Sequence, residues 1–380
     1  MKVRLGDVAT YINGYAFKPE DWSDSGLPII RIQDLTGNSY KTNRFSGKYD
    51  KKFEVNDGDI LISWSASIGV YIWRGEKAIL NQHIFKVKFD KQVNICKKFF
   101  IYQVENILKK AILETHGATM KHLTKPVFDS LPFYLPDIKK QNEISAILDK
   151  ISEIISLRQQ QLKKLDELVK SRFIEMFGDP ITNSYNLPIV PLGELSELIT
   201  KGASPSWQGF SYTDDRTQTL FITSENVREG YIDLSFPKYI EDGFNDKQKR
   251  SVIHKGDFLI NIVGASIGRA AQFNFDCKAN MNQAAALVRI NDKRIKDNYL
   301  LIYLNSEKAQ QMYDLMKSDT GRANLSLKDI SDLSILLPPI AQQEKFEKFF
   351  MQTDKSKLEI QKSLDKLEIL KKSLMQQYFD

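Results

Sequence analysis

The chain has 380 residues, of which 42% are hydrophobic and 27% charged, and its formal net charge is +6. This length allows two or more domains with cores of their own, and the modest positive charge is compatible with nucleic-acid binding without establishing it. Cys96 and Cys277 are the only cysteines, which excludes a disulfide framework and a cysteine metal cluster. No apolar run approaches the roughly 18 residues that span a bilayer, so we expect a soluble, cytoplasmic protein.

Residues 1–138 predict a globular domain of mixed helix and strand. Short apolar segments alternate with turn signals such as Ser25-Gly26 and Asn56-Asp57-Gly58, a pattern typical of strands. The strands are predicted at 29–32, 59–63 and 83–89. One helix is predicted from Lys97 to Thr115, because apolar residues recur on one face there before Gly117 ends it.

A heptad pattern fills residues 139–178 and returns at 339–380. Apolar residues recur at steps of three and four, with Lys, Glu and Gln at the outer positions, which is typical of a coiled coil. The predicted seam residues are Leu148, Ile151, Ile155, Leu162, Leu165, Val169, Ile360, Leu364, Leu367 and Leu374. A single helix this polar is marginal in water, so the two segments are expected to pair with each other. An antiparallel pair is favoured, because a parallel pair would require the linker at 179–188 to support a return of the chain along the helix.

The elements of residues 1–138 recur in the same order at 189–338, with loops of different length. Strands are predicted there at 221–223, 258–262 and 285–290, and one helix at 297–316. The predicted fold class is therefore α+β: two tandem globular α/β domains separated by two long helices, which pack as an antiparallel coiled coil with pseudo-twofold symmetry.

Motifs of catalysis are absent from the sequence. Neither a GxGxxG string nor a Walker A string is present, and the four histidines form no ligand cluster. The segment Leu337-Pro338-Pro339-Ile340 lacks the residues with which an amino-methyltransferase grips a flipped base. The D-x-K triplets at 137–139 and 276–278 have no accompanying acidic pair. We therefore predict no catalytic residue, no metal site and no cofactor in this chain.

The loops carry side chains suited to contacts with DNA. Asn, Gln, Arg and Lys can make paired hydrogen bonds to base edges, and Ser, Thr and Lys suit phosphate oxygens. The candidate DNA-binding residues are Tyr15, Lys18, Ser65, Ser67, Lys121, His122, Lys201, Ser204, Trp207, Ser266, Arg269, Arg322 and Asn324. The repeated pairs Asn81-Gln82 and Asn282-Gln283 are expected instead to brace turns inside each domain. Because the two copies differ most in these loops, we expect them to read different sequences.

The order of repeated motifs resembles that of the specificity (S) subunit (HsdS) of type I restriction-modification systems, over essentially the whole chain. The matching strings are Leu5-Gly6-Asp7 with Leu192-Gly193-Glu194, Gly58-Asp59-Ile60-Leu61 with Gly256-Asp257-Phe258-Leu259, Ser67-Ile68-Gly69 with Ser266-Ile267-Gly268, Asn81-Gln82 with Asn282-Gln283, and the hinges at 135–141 and 337–343. The second hinge has Pro339 where the first has Asp137, and we attach no functional change to this difference.

The resemblance implies two target recognition domains that each read one half of a bipartite site on double-stranded DNA. It implies helices that set the spacing and dock two modification (methyltransferase) subunits, which carry S-adenosylmethionine and methylate adenine. Restriction subunits, which translocate DNA with ATP and Mg2+ and cleave it, would complete the assembly. The chain itself would catalyse nothing.

Two other interpretations remain open at this point. A coiled-coil scaffold for protein partners would need no DNA contact, although the basic residues in the loops, such as Lys18 and Arg269, count against it. A nuclease or a methyltransferase fused to its own reader would need motifs that the sequence lacks. An activity test of the purified chain with DNA would distinguish an enzyme from both other classes.

Overall fold

The computed structural model describes residues 1–38, 41–65, 67–114, 124–317 and 323–379, without the side chains of 112–114. The chain forms two compact units. The first comprises Met1–Gln159 and Lys362–Asp380, and the second comprises Gln160–Gln361. We call residues 1–138 module 1 and residues 189–338 module 2. Each unit therefore combines one module with the ends of two different helices.

Module 1 consists of short strands and helices in the order that the sequence predicts. Its strands are β1 (Lys2–Arg4), β2 (Thr10–Asn13), β3 (Leu27–Ile30), β4 (Arg44–Phe45), β5 (Glu54–Val55), β6 (Ile60–Ser63), β7 (Gly69–Ile72), β8 (Ala78–Leu80), β9 (Ile84–Lys88) and β10 (Pro132–Tyr134). Its helices are α1 (Leu5–Val8), α2 (Ile32–Leu35), α3 (Lys97–Glu114) and α4 (Lys125–Ser130), and the long helix α5 (Ile138–Phe177) follows.

Module 2 repeats this arrangement. Its strands are β11 (Ile189–Pro191), β12 (Ser196–Lys201), β13 (Tyr212–Thr213), β14 (Thr219–Ile222), β15 (Lys238–Ile240), β16 (Phe258–Asn261), β17 (Ala270–Gln272), β18 (Ala279–Met281), β19 (Ala285–Ile290) and β20 (Ser334–Leu336). Its helices are α6 (Leu192–Leu195), α7 (Pro205–Gln208), α8 (Gly243–Lys247), α9 (Asp297–Leu304), α10 (Glu307–Met316) and α11 (Leu327–Ser331), and the long helix α12 (Ile340–Phe379) follows.

The strand order shows that the two modules are copies of one fold. Module 1 has sheets in the orders β2-β9-β6-β7 and β4-β3-β8-β5, and module 2 has β12-β19-β16-β17 and β13-β15-β14-β18. In both modules, two strands that are distant in the sequence pair in parallel. They are β3 with β8 in module 1 and β14 with β18 in module 2. In each module a two-stranded antiparallel ribbon joins the segments by which the chain enters and leaves. The ribbon is β1 with β10 in module 1 and β11 with β20 in module 2.

The repeated Gly-Asp string forms the turn that starts a central strand. Gly58 and Gly256 have φ angles of +85° and +99°, a left-handed conformation that favours glycine. The carboxylate of Asp59 accepts a hydrogen bond from the Asn56 amide at 2.9 Å, and that of Asp257 accepts one from the His254 amide at 2.7 Å. Conformation and capping explain why this string is kept in both copies.

The long helices α5 and α12 have 40 residues each and pair antiparallel. In the first unit, Ile144 and Leu148 near the start of α5 share a core with Met375 near the end of α12. In the second unit, Phe173 near the end of α5 packs edge-on against Phe346 near the start of α12, with ring centroids 5.5 Å apart. Because the start of each helix meets the end of the other, the predicted antiparallel orientation is confirmed.

The predicted seam residues lie on the inner faces of these helices. Leu148, Ile151, Val169 and Leu364 are buried, with exposed fractions of 0–8%. The other six are half-buried: Ile155, Leu162, Leu165, Ile360, Leu367 and Leu374. Lys357, a charged residue at a seam position, places its Nζ 2.6 Å from Asp166 Oδ1 on α5. Charged residues are tolerated at this seam because such side chains reach partners at its margin.

The predicted single helix at 297–316 is wrong, because α9 ends at Leu304 and α10 begins at Glu307. The Asn305 side chain bonds both backbone groups of Ala270, with its Oδ1 accepting at 3.0 Å and its Nδ2 donating at 2.9 Å. Ser306 then caps α10 by accepting a hydrogen bond from the Ala309 amide. Side-chain bonds to a neighbouring strand thus replace a continuous helical turn.

Several predicted strand boundaries are displaced by one or two residues. Ile32 begins α2 instead of ending a strand. His83 precedes β9 in a turn, and Ile262 follows the end of β16. Thr223 lies beyond β14, where its amide bonds Asn226 Oδ1 at 2.9 Å. At Ile32, Thr223 and Ile262 the strand has already ended, although the apolar run alone suggested that it continues.

Candidate nucleic-acid interface

Three loops of module 1 meet at one edge of its sheets. The loop after β2 packs so closely on the turn before β9 that a Cβ at Gly14 would lie 2.1 Å from the Asn81 carbonyl oxygen. The Tyr15 amide donates to the Leu80 carbonyl at 2.8 Å. The Trp64 ring, in the loop after β6, lies against His83 of the same turn, with ring centroids 5.5 Å apart. This edge, formed by the segments at 14–18, 63–65 and 80–84, is called edge 1.

Tyr15 is part of a group of half-buried aromatic rings at edge 1. Its ring meets Phe17 and Phe53 at centroid distances of 4.8 and 5.7 Å, and Phe45 lies 5.1 Å from Phe17. The Lys52 ammonium lies 4.9 Å from the centre of the Phe53 ring. Tyr15 was predicted from the sequence, whereas Phe45 and Phe53 were not, because they are distant in the chain and join the group only through the fold.

The other predicted residues of module 1 have different environments. Lys18 is exposed, and its Nζ lies 3.8 Å from Glu20 Oε1. Ser65 is half-buried, and its carbonyl accepts a hydrogen bond from Ser63 Oγ at 3.1 Å. Ser67 is exposed. Lys121 and His122 lie outside the described residues.

Module 2 forms an equivalent edge, edge 2, from the loops at 202–208, 261–269, 281–284 and 323–325. A Cβ at Gly202 would lie 1.8 Å from the Met281 carbonyl oxygen, so the loop after β12 packs on the turn before β19 as in module 1. The Ile262 amide donates to the Ala284 carbonyl at 3.0 Å. Asn324 is exposed and pairs with Val263 in an isolated bridge. Arg322, which precedes it, lies outside the described residues.

A polar cleft of about 290 Å³ opens at edge 2. It is lined by Ser266, Arg269 and Lys317, with Glu229 and Gln310 also present. Ser266 Oγ accepts a hydrogen bond from Asn261 Nδ2 at 3.1 Å, which holds the loop in place, while Arg269 is exposed. A fixed serine beside the exposed Arg269 and the half-buried Lys317 suits phosphate oxygens.

The remaining predicted residues of module 2 lie at the end of β12 and in the segment after it. Lys201 is exposed at the end of this strand. Ser204 and Ser206 place their hydroxyl oxygens 3.2 Å apart at the start of α7. Trp207 is 85% exposed, so most of its ring faces solvent. Phe236, in the loop between β14 and β15, is 88% exposed, and sequence reasoning missed it because no motif surrounds it.

The repeated Asn-Gln pairs support turns, as expected. Asn81 Oδ1 accepts from the Gln82 amide at 2.6 Å, and Asn282 Oδ1 accepts from the Ala284 amide at 3.1 Å. The backbone amides of Asn81 and Asn282 also bond the ends of β3 and β14, through the carbonyls of Ile30 and Ile222. These asparagines hold the turn on which both edges are built.

The described residues include no group of His, Cys, Asp and Glu that could hold a metal ion. Within the same ranges, no helix has the length and apolar character needed to cross a membrane.

Comparison with known proteins places these modules in a family. Residues 1–167 and 187–370 match the family described as "Type I restriction modification DNA specificity domain". The chain is 25% identical over 407 residues to the EcoBI specificity subunit of Escherichia coli, with 100% of this chain and 85% of the relative covered. It is 22% identical to the MjaVIII specificity subunit of Methanocaldococcus jannaschii, with 98% and 90% covered.

Solved structures share the fold over almost the whole chain. A chain from a study of assembly and conformational transition in a type I restriction-modification system gives a TM-score of 0.60 at 17% identity, covering 100% of this chain and 97% of that one. The S subunit of M. genitalium gives 0.53 at 14% identity, covering 99% and 94%. The chain belongs to the type I restriction-modification DNA specificity family. It is a specificity subunit, which selects the DNA target and is not itself an enzyme.

Proposed function

We propose that modules 1 and 2 each bind one half of a bipartite target on double-stranded DNA, and that α5 and α12 set the length of the unread gap. The observation that carries this proposal is the duplicated strand order combined with dissimilar edge loops. Edge 1 presents a half-buried aromatic group beside lysines, whereas edge 2 presents a polar cleft and an exposed tryptophan. One scaffold with two different surfaces suits two different half-sequences.

Each edge has residues for both parts of DNA recognition. Lys18, Lys201 and Arg269 are exposed cations that suit phosphates, and such contacts position a protein without reading sequence. Asn324 at edge 2 has a side chain that can pair with a base edge, and Trp207 offers a large ring for apolar contact. At edge 1, aromatic rings suit apolar contact with the methyl group of thymine.

The long helices would dock the partner subunits. Large apolar side chains outside the seam remain 42–69% exposed, among them Ile147, Leu157, Leu168, Met351, Leu358, Ile369 and Leu370. We propose that two modification subunits, which bind S-adenosylmethionine, cover these residues. Restriction subunits that use ATP and Mg2+ would join the complex in the cytoplasm, and this chain would supply no cofactor of its own.

The decisive experiment is to express the chain with the methyltransferase encoded beside it and to map N6-methyladenine across the host genome. A split motif with a fixed gap that disappears without this chain would support a reader with two modules. Methylation that does not depend on the chain would refute the proposal and favour a scaffold of protein partners.

A further inference from the structure

Each long helix has a fully buried glutamine in its first turn. Gln141 and Gln343 are the fourth residues of α5 and α12, and both are 0% exposed. A buried polar side chain is costly unless its hydrogen bonds are satisfied. The bonds that these two side chains make therefore indicate what they hold together.

Gln141 connects three segments at the base of module 1. Its Oε1 accepts from the amide of Cys96, the residue before α3, at 2.8 Å. Its Nε2 donates to the Asn94 carbonyl at 3.1 Å and to the Pro136 carbonyl at 2.9 Å. The side chain thus joins α5 to the segment before α3 and to the hinge by which the chain leaves the module.

Gln343 makes the same three bonds in module 2. Its Oε1 accepts from the amide of Lys296, the residue before α9, at 2.8 Å. Its Nε2 donates to the Arg294 carbonyl at 2.9 Å and to the Pro338 carbonyl at 2.7 Å. The bonded residues differ between the copies, whereas the bonded backbone positions are equivalent. The two copies have therefore kept the same hydrogen-bond geometry although the bonded residues differ.

The chemistry of an amide makes this joint rigid. One side chain offers an acceptor and two donors in a fixed plane, and here all three are used inside a buried site. Rotation of the module about its hinge would break several of these bonds together and leave buried groups without partners. The side chain therefore favours one orientation of the module on its own helix.

We propose that Gln141 and Gln343 are positioning residues that make the gap of the DNA target strict. The inference rests on the proposed function: each helix carries its module, so a looser joint would let that module reach a half-site displaced by one base pair. Neither residue contacts DNA in this proposal, so the half-sequences themselves would stay the same.

The test compares methylation rates by the reconstituted complex on DNA with the native gap and with gaps one base pair shorter or longer. Gln343→Met keeps the length of the side chain and removes all three bonds. Gln342→Met is the matched control, because Gln342 is an exposed glutamine next to it. We expect the preference for the native gap to fall about tenfold in the first variant and to stay unchanged in the control, in line with the loss of buried hydrogen bonds.

The ratio of two rates on one preparation does not depend on how much complex has folded, so a merely structural role would leave it unchanged. An unchanged ratio in Gln343→Met overturns the inference while the proposed function stands. A wild-type complex that methylates no split motif overturns both. If Gln343→Met fails to assemble, Gln343→Glu, which keeps only the acceptor toward the Lys296 amide, is measured in the same way. Faster hydrogen exchange of that amide in the free variant is also expected, and unchanged exchange counts against the joint.

Discussion

Replacing Met375 by alanine should destabilise module 1, although this residue lies near the end of α12. Met375 is 8% exposed and belongs to the core that contains Phe99, Val104 and Leu148 of the first unit. Truncation of a buried methionine to alanine costs 2–5 kcal/mol, and we expect about 2 kcal/mol because the last turn of a helix can relax. With a slope of about 2 kcal/mol/M, the urea midpoint should fall by about 1 M.

Tryptophan fluorescence reports this unfolding selectively. Trp22, Trp64 and Trp73 all lie in module 1, whereas Trp207, the fourth tryptophan of the chain, is 85% exposed in module 2. Because Trp64 is half-buried against Phe85, with ring centroids 5.7 Å apart, its emission should change when the core of the first unit opens.

Met351→Ala is the matched control. Met351 lies on the same helix but is 61% exposed, so its truncation should change stability by less than about 0.5 kcal/mol. If Met375→Ala moves the fluorescence midpoint no further than Met351→Ala does, then the end of α12 does not complete the core of module 1, and the reasoning is refuted.

Three further outcomes are expected. Deletion of residues 162–165 removes about 6 Å of α5, so genome methylation should show a gap changed by at most two base pairs with both half-sequences kept; altered half-sequences with the old gap would contradict a role in spacing. Burial raises the pKa of the Glu347 carboxyl in the folded protein. The protonated carboxyl therefore contributes fully to folding stability at low pH, and this contribution is lost as the pH rises through the folded-state pKa. Glu347→Gln should therefore melt at a higher temperature than wild type at neutral pH, with the gain vanishing below about pH 4, and a gain of equal size at both pH values would argue against titration. Arg269→Ala should lower the slope of log affinity against log salt by about 1 without changing the recognised sequence, and an unchanged slope would mean that Arg269 touches no phosphate.

The sequence predicts the repeated architecture well because its signals are local and occur twice. The heptad pattern places both long helices almost to the residue, and the Gly-Asp strings locate the central strands β6 and β16. The break between α9 and α10 could not be predicted in this way. It depends on bonds from Asn305 to Ala270, a residue distant in the chain that the fold brings close.

Edges 1 and 2 could be predicted only in part, because some of their contacts also join residues that are distant in the chain. Ser65 and Ser266 follow strands that the sequence predicts, so their place just after a strand is a local property. The aromatic group of Tyr15, Phe45 and Phe53 exists only after distant loops pack together. Which of these residues touch bases stays a prediction, because DNA shape and deformability also decide recognition.

The Phe99–Phe379 contact links residues that leave the ribosome far apart in time. The two rings lie 5.4 Å apart, edge to face, in the core of the first unit. Module 1 is synthesised first, yet its core stays incomplete until the last turn of α12 emerges. Contacts between residues so distant in sequence slow folding, and an incomplete core leaves apolar surface exposed meanwhile. During translation the first module should therefore need protection by chaperones, which its own sequence alone would not suggest.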